Sequence, residues 1–575
     1  MRLTPAARMP PRLMKTCMPS MLRSTRLTCR DDKADPHHPA NRRHRMSLAA
    51  APFASQHFNP FAGQDIRTLV GAQATLRADH PYLVWRPFDG TRRVWTYAQF
   101  ENTVARFAAG LHARGVREGD RVLVHLDNCP EAIIAWFGCA WMGAIAVTTN
   151  ARSSADELSY FADHAEVVAG ITQPRFAQLV AASCKRLRWL AVTTTDNGDD
   201  AGSARPSAAD AFDAIDGDPA ILPARPHDPL APFSVQYTSG TTSRPKGVLW
   251  THANALWGAR VNASHQALRP DDIHMVTLPL FHTNAQAYSM LATMWAGATA
   301  IVNPRFSASR FWPVSMEEGC TWASVIGFIP KALMDQPVPD HRYRLWGTGV
   351  CEPPWDAHFR VKTLGWWGMT ETITHGTVGL VELPNASLSM GLCAPEYSVR
   401  IDVDGRDAEP GETGDFLIRG VRGLSLFAEY LNNPQATADA FDAQGWFITG
   451  DRVTLGQDGW LYFADRSKDM LKVGGENVAA SEIERVIALV PGVLEVAVVA
   501  KRHPMLDEVP VAFLRCTPTD ETGRAALKQA VEAACATELA GFKRPRELYI
   551  VEELPRSTLE KINKAALRAM LKAAD

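Results

Sequence analysis

A chain of 575 residues is too long for one hydrophobic core and must divide into at least two domains, and its 46% hydrophobic content is ample to fill them. A formal net charge of −2 gives no reason to expect nucleic acid or an anionic membrane surface as a partner. The ten cysteines are scattered, without a Cys-x-x-Cys pair or a nearby His pair, so neither a zinc site nor a disulfide framework is indicated and a reducing cytoplasm fits best.

Met1 to Arg45 is rich in Arg, Pro and Met, lacks a hydrophobic period and is expected to be disordered. It reads as a transit peptide, as a polyanion-binding tail, or as a leader upstream of a true start at Met46; no secretory apolar core is present, and the last reading is preferred. From Phe53 the pattern becomes globular. Thr96-Tyr97 opens a helix with Phe100, Val104, Phe107, Ala108 and Leu111 at helical spacing, Gly115 stops it, and a strand is predicted over Val122 to Leu126. The most hydrophobic segment, Ala132 to Val147, is interrupted by Gly138 and Gly143, which predicts a buried helix ending at Gly143 and a following strand rather than a membrane span.

Asp199 to Pro232 reads as a loop. After it come a strand at Phe233 to Tyr237, a helix from about His252 to Ala267, a strand near Ile273 to Leu278, a helix ending at Gly297 and a strand at Ala300 to Val302. Helices alternating with apolar strands predict an α/β architecture with a largely parallel sheet. The Gly- and Pro-rich stretch from Thr348 to Trp355, including Gly349, suits a ligand-lining loop. Beyond Gly391 shorter, alternating strands predict a more antiparallel subdomain. Ser481-Glu-Ile-Glu484 reads as a capping box, Val493 to Val499 as a strand, and the last hundred or so residues as a small α+β lid. The expected division is a leader over 1–45, a large domain over 46–465 and a small mobile domain over 466–575.

The stretch most laden with chemistry runs from Tyr237 to Val248, Tyr-Thr-Ser-Gly-Thr-Thr-Ser-Arg-Pro-Lys-Gly-Val, between a strand-like run and a helix-like one beginning near Thr251. Gly240 and Gly247 allow close backbone approach; Thr238, Ser239, Thr241, Thr242 and Ser243 add hydroxyl donors, and Lys246 a positive charge. A polyphosphate needs such donors and a cation together, because its charged oxygens must leave water at once. The spacing is not that of Walker-type NTPases.

The stretch resembles the phosphate-loop signature of the AMP-forming adenylate-forming enzymes, which include acyl-CoA synthetases, luciferases and peptide-synthetase adenylation domains. Four further motifs follow in that family's order. Gly365-Trp-Trp-Gly-Met-Thr-Glu-Thr372 implies adenine stacking by Trp367, a phosphate contact by Thr370 and a Mg2+ ligand in Glu371. Tyr is usual at 367; an indole keeps the flat face and gives up the phenolic hydrogen bond. Gly445-Trp-Phe-Ile-Thr-Gly-Asp451 implies a ribose contact by Asp451, with Arg466 as the second. In Asp465 to Asn477 the resemblance implies a pivot at Lys468 and a pantetheine passage lined by Gly474 and Gly475. Leu554 to Lys564 resembles the terminal lysine motif, which places the catalytic lysine at Lys561. Leu559-Glu560 replaces the usual Ser-Gly there, and Lys564 stays a possible substitute.

The resemblance implies an ATP-, Mg2+- and coenzyme A-dependent acid-thiol ligase that forms an acyl-adenylate and then a thioester, with Lys246, Lys561, Thr370, Glu371 and His282 as catalytic residues. Its partner is a small-molecule carboxylic acid. The expected acyl pocket comprises Thr283, Asn284, Val325, Gly327, Phe328, Ile373 and His375, with cation-π partners such as Trp366 or Phe328. Motif detail, including Ser309-Arg-Phe-Trp312, looks most like crotonobetaine or carnitine CoA ligases. Medium-chain or aromatic acids, a luciferase-like oxidase, and a nucleotide-binding homologue impaired by Glu560 stay open; a peptide-synthetase module finds no room for a carrier domain. The oligomeric state is not legible.

Overall fold

The structure is a computed structural model that describes residues 59–196, 199–200, 209–238, 244–466, 471–473, 476–478, 480–504, 506–518, 520–539, 541–556 and 562–574. The helix Tyr97–Ala113 starts as its sequence predicts: Thr96 Oγ1 accepts from the Gln99 N–H at 3.3 Å, and Gln99 Oε1 accepts from the Thr96 N–H at 3.0 Å. The apolar segment after it is the helix Pro130–Met142, ended by Gly143 at φ +86°, then the buried strand Ile145–Thr148. Gly138 is where the two helices close: a Cβ there would lie 2.4 Å from the Phe107 ring. No described helix is long and apolar enough to cross a membrane.

The described strands of the large domain form three large sheets and the small antiparallel pair Thr195–Asp196 with Asp199–Asp200. In a nine-stranded sheet, Lys362–Trp367, Leu345–Thr348, Trp322–Ser324, Ile273–Val276, Thr299–Val302 and Pro81–Trp85 run parallel in that spatial order, with short antiparallel strands at both edges. Such strands are buried on both sides, which is why they read as continuous apolar runs. In an eight-stranded sheet, Pro232–Thr238, Ile145–Thr148, Arg121–His125, Ala169–Thr172, Trp189–Val192 and Asp210–Ala211 run parallel. The third sheet, from Ser398–Val403 to Leu461–Arg466, is five-stranded and wholly antiparallel, as the alternation beyond Gly391 predicts.

Three local expectations change. Within the stretch read as a loop from Asp199 to Pro232, Asp210–Ala211 is a strand, because it pairs parallel to Trp189–Val192 at the edge of the sheet. The sequence suggests a loop running from a strand to a helix near Thr251; the structure places the strand Lys246–Thr251 between them, antiparallel to Pro232–Thr238 with Thr238 opposite Lys246. Gly-Val-Leu-Trp is an apolar, β-favouring run that continues the sheet before the helix His252–His265 begins. The capping box at Ser481 is also displaced: the helix Ala480–Ala488 already includes Ser481, and Glu484 accepts from the Val498 N–H at 2.7 Å and pairs with Lys564 at 2.9 Å.

The C-terminal domain is small and α+β, built on the hairpin Val493–His503 with Asp507–Cys516 and three helices. Its apolar side chains form clusters from Leu471 to Leu571 that are separate from the large cluster running from Phe61 to Leu461. The protein is thus a large N-terminal α/β domain followed by a smaller C-terminal one.

Candidate active site

In open parallel sheets ligands bind beyond the carboxyl ends of the strands, where loops replace paired backbone. Here Trp367, Thr348 and Ser324 end strands of the nine-stranded sheet, and Thr238 ends one of the eight-stranded sheet. The segments after Trp367, Thr348 and Ser324 carry Thr370 and Glu371, Gly349, and Val325 and Gly327. Gly349 leads out of its strand, and a Cβ built on it meets nothing within 4 Å, so room exists there for a ligand to approach the backbone.

The segment after Trp367 docks on the neighbouring sheet. Trp250 Nε1 donates to the Thr370 carbonyl at 2.9 Å, and the Phe427 N–H donates to the Glu371 carbonyl at 2.8 Å. Glu371 is 3% exposed, and the Tyr430 hydroxyl donates to its Oε1 at 2.8 Å. Lys246 Nζ lies 4.4 Å from the centroid of the same Tyr430 ring. Burial, reinforced by the Glu371 carboxylate, pushes the Tyr430 pKa well up and keeps the phenol a donor.

The Thr370 side chain joins a buried polar chain. Thr283 Oγ1 is 3.2 Å from Thr370 Oγ1 and donates to Gln236 Oε1 at 2.7 Å; Gln236 in turn donates to Gln286. Thr283 and Gln286 come from the segment around the π-helix Asn284–Leu291, a geometry frequent at functional sites. His282 precedes it, half-buried, with its carbonyl accepting from the Gln286 N–H at 2.9 Å and its ring 5.3 Å from Phe281.

Asp451 and Trp367 meet directly: the indole Nε1 donates to Asp451 Oδ2 at 2.8 Å, with both residues buried. The phenolic hydrogen bond given up at 367 is thus replaced by an indole one, which the sequence does not announce. The indole N–H lies at the ring edge and reaches the carboxylate, while the ring packs edge-on against Phe416. Backbone register sets Arg466 opposite Asp451 across antiparallel strands, which brings the two predicted ribose contacts side by side.

The expected acyl lining is mixed. Ile373, two residues past Glu371, is buried at φ +63°, a strained conformation for a β-branched residue. His375 is fully buried and stacks on Trp366 at 4.2 Å; burial, with His265 adding to it, lowers its pKa well below the ordinary value. Trp366 is 6% exposed and also stacks on Trp322, and a Cβ on Gly347 would collide with it at 1.7 Å. Trp366 is therefore core, and Phe328, half-buried against Phe306, is the aromatic left at the surface of that region.

Ser239, Gly240, Thr241, Thr242, Lys468, Gly474, Gly475 and Lys561 lie outside the described residues, and of Arg466 only the backbone is described. Lys564 is paired with Glu484 inside the small domain. Tyr430, Trp250, Gln236 and Gln286 were not among the predicted site residues; they reach the site through strand pairing and helix packing, which leave no contiguous motif. For Mg2+ the donor set fits. Mg2+ favours one or two hard carboxylate oxygens plus substrate phosphates, and Glu371 offers such a carboxylate. No group of three or more His, Cys, Asp or Glu that would form an all-protein cage occurs among the described residues.

The family model of AMP-binding enzymes matches residues 70–431, and that of the AMP-binding enzyme C-terminal domain matches residues 482–561. A crotonobetaine/carnitine–CoA ligase of Salmonella paratyphi A is 32% identical over 530 residues, covering 88% of this chain and 99% of the relative. An anthranilate CoA ligase solved in complex with anthranoyl-AMP superposes with a TM-score of 0.79 at 24% identity, covering 91% of this chain and 99% of that one. The Mycobacterium tuberculosis fatty acyl CoA synthetase does so with a TM-score of 0.65 at 27% identity, covering 89% and 99%. Fold and site together define a two-domain adenylate-forming ligase. The chain belongs to the AMP-binding enzyme family, as an AMP-forming acyl-CoA synthetase. Enzymes of this family use ATP and coenzyme A.

Proposed function

We propose that this enzyme joins a small to medium organic acid to coenzyme A in two half-reactions at one site, with crotonobetaine or carnitine as the first acids to test. In the first, a carboxylate oxygen of the acid attacks the α-phosphorus of ATP and the bond to pyrophosphate breaks; the carboxylate is already ionised at pH 7, so no protein base is needed. Lys246 draws charge from the departing pyrophosphate, Thr370 approaches phosphate, and Glu371 would hold Mg2+, which when bound neutralises phosphate charge. Asp451, oriented by Trp367 and flanked by Arg466, holds the ribose. In the second, the coenzyme A sulfur attacks the acyl carbon and AMP leaves.

The observation that carries this reading is the meeting of Lys246, Tyr430, Glu371, Thr370 and the Trp367–Asp451 pair at the carboxyl ends of two sheets. The roles of Lys561 in the first half-reaction, of Lys468 as pivot and of Gly474 and Gly475 along the thiol's path rest on the resemblance. The separate cores on either side of 461–471 support a domain boundary at 465/466. A reducing cytoplasm suits the eight described cysteines, all unbonded.

Two observations favour a betaine. Phe328 is a half-buried aromatic face for a trimethylammonium, and His375, held neutral, does not repel one. A medium-chain or aromatic acid is the second reading, favoured by the open space where a Cβ of Gly327 would be. Specificity constants for crotonobetaine, butyrate, octanoate and benzoate separate them: the betaine should lead, and a clear lead for octanoate or benzoate overturns it while leaving the ligase standing. Pyrophosphate release with none of a broad panel of acids would point instead to an impaired homologue.

A further inference from the structure

Tyr430 touches both charged groups that the ligase reading sets beside the triphosphate. Its hydroxyl donates to Glu371 Oε1 at 2.8 Å, and the Lys246 ammonium lies 4.4 Å from its ring centroid. An ammonium and a carboxylate that share one buried neighbour attract each other at low dielectric, and direct pairing would occupy both groups before a polyphosphate arrived. A neutral ring with a polar tip meets both: its negative face receives the cation, and its O–H receives the anion.

The ring has little freedom to move. Tyr430 is 5% exposed and lies on the short strand Glu429–Tyr430, paired antiparallel to Lys246–Thr251 with Val248 opposite Tyr430. Its N–H donates to Thr437 Oγ1 at 2.9 Å, the next N–H donates to the Gly247 carbonyl at 2.7 Å, and the ring packs on Phe427 at 4.7 Å. The strand that carries Lys246 thus also fixes the residue that orients Glu371, so the loop's cation and the predicted metal carboxylate are set by one element.

We propose that Tyr430 is a positioning residue that holds Lys246 and Glu371 apart and aimed, through its ring for the lysine and its hydroxyl for the glutamate. The proposal rests on the ATP-dependent ligase reading. It divides the residue into two separable halves: the hydroxyl governs the metal dependence of nucleotide binding, and the ring governs binding without metal.

The test is calorimetric titration of ATP into the full chain without acid or coenzyme A, over a series of Mg2+ concentrations and with EDTA. Tyr430→Phe should raise the Mg2+ needed for half-maximal ATP binding about tenfold, the scale of a lost hydrogen bond to a charged group, and leave binding in EDTA unchanged. Tyr430→Leu should in addition weaken binding in EDTA about threefold, the scale of a lost partly exposed cation-π contact. An unshifted Mg2+ dependence in Tyr430→Phe overturns the proposal, as does an equal loss with and without Mg2+. Wild-type protein that binds no ATP under any condition overturns the ligase reading itself, an outcome distinct from both.

Discussion

At position 367 an indole fills space and also orients a buried carboxylate. The ring is 7% exposed against Phe416, and its N–H is the donor that Asp451 Oδ2 accepts at 2.8 Å. Phenylalanine keeps most of the apolar contact and removes the donor, leaving a buried charge with one partner fewer. Trp367→Phe is expected to cost about 1.5–3 kcal/mol, the range for hydrogen bonds to charged groups. Urea denaturation checks this through a lower midpoint at unchanged slope; an unchanged midpoint would show that the bond adds nothing to the fold. Ile373 shows the opposite sign of residue-scale effect. Its N–H donates to the Met369 carbonyl at 3.2 Å and its own carbonyl accepts from Asn262 at 3.3 Å, which together hold a strained φ two residues from Glu371.

At the scale of elements, the helix Ile66–Leu76 depends on one acid. Asp65 caps it in a box with Thr68, is fully buried, and meets Arg67 at 2.5 Å, His227 at 3.0 Å and Arg225 at 3.8 Å. Burial works to raise its pKa, but the hydrogen bond from Arg67, the nearby His252 and the other cationic partners outweigh it and hold the group at about 2. A folded-state pKa below the unfolded one means that the charge stabilises the fold above about pH 4, and that this contribution is lost as pH falls toward 2. Asp65→Ala, which removes cap and charge together, is expected to cost about 3–5 kcal/mol, the scale of breaking a buried ion pair. Asp65→Asn keeps a cap acceptor, and its deficit should shrink between pH 4 and pH 2. A deficit that stays constant with pH would show that the charge is immaterial. Elements of this kind were legible where local chemistry decides them: Thr96 with Gln99 starts one helix and Gly143 ends another, each within a few letters. The ordered motifs around Lys246, Trp367 and Asp451 were legible through their resemblance to the family's series, which keeps its order along the chain. The strand Lys246–Thr251 was missed because its partner strands, not its own period, decide its state, and Tyr430 was missed because it reaches Glu371 across 59 residues. Trp366 was misplaced as a ligand contact because burial by Trp322 and His375 is a tertiary fact.

At the scale of the molecule, the two domains touch through a weak polar contact close to the expected acyl pocket. Both lie within the compact unit of residues 48–575. Lys331, in the last turn of the short helix Phe328–Leu333, donates from Nζ to the carbonyl of Leu494 in the small domain at 3.1 Å. The next residue, Glu495, is tied to Arg515 at 2.9 Å and Arg556 at 2.5 Å, so the docked strand is stiff on its own side. A hydrogen bond between exposed groups is worth about 0.5–1.5 kcal/mol, too little to hold a domain permanently and enough to shift a two-state ratio about two- to tenfold. If the small domain alternates between half-reactions, such a contact biases one arrangement over the other without fixing it. Lys331→Ala should therefore change the ratio of the two half-reaction rates about two- to tenfold, slowing one and sparing or quickening the other, at an unchanged melting temperature. Pyrophosphate release measured without coenzyme A, set against thioester formation from supplied acyl-adenylate, gives that ratio. Equal slowing of both half-reactions would mean that Lys331 serves the acyl pocket rather than the arrangement of the domains.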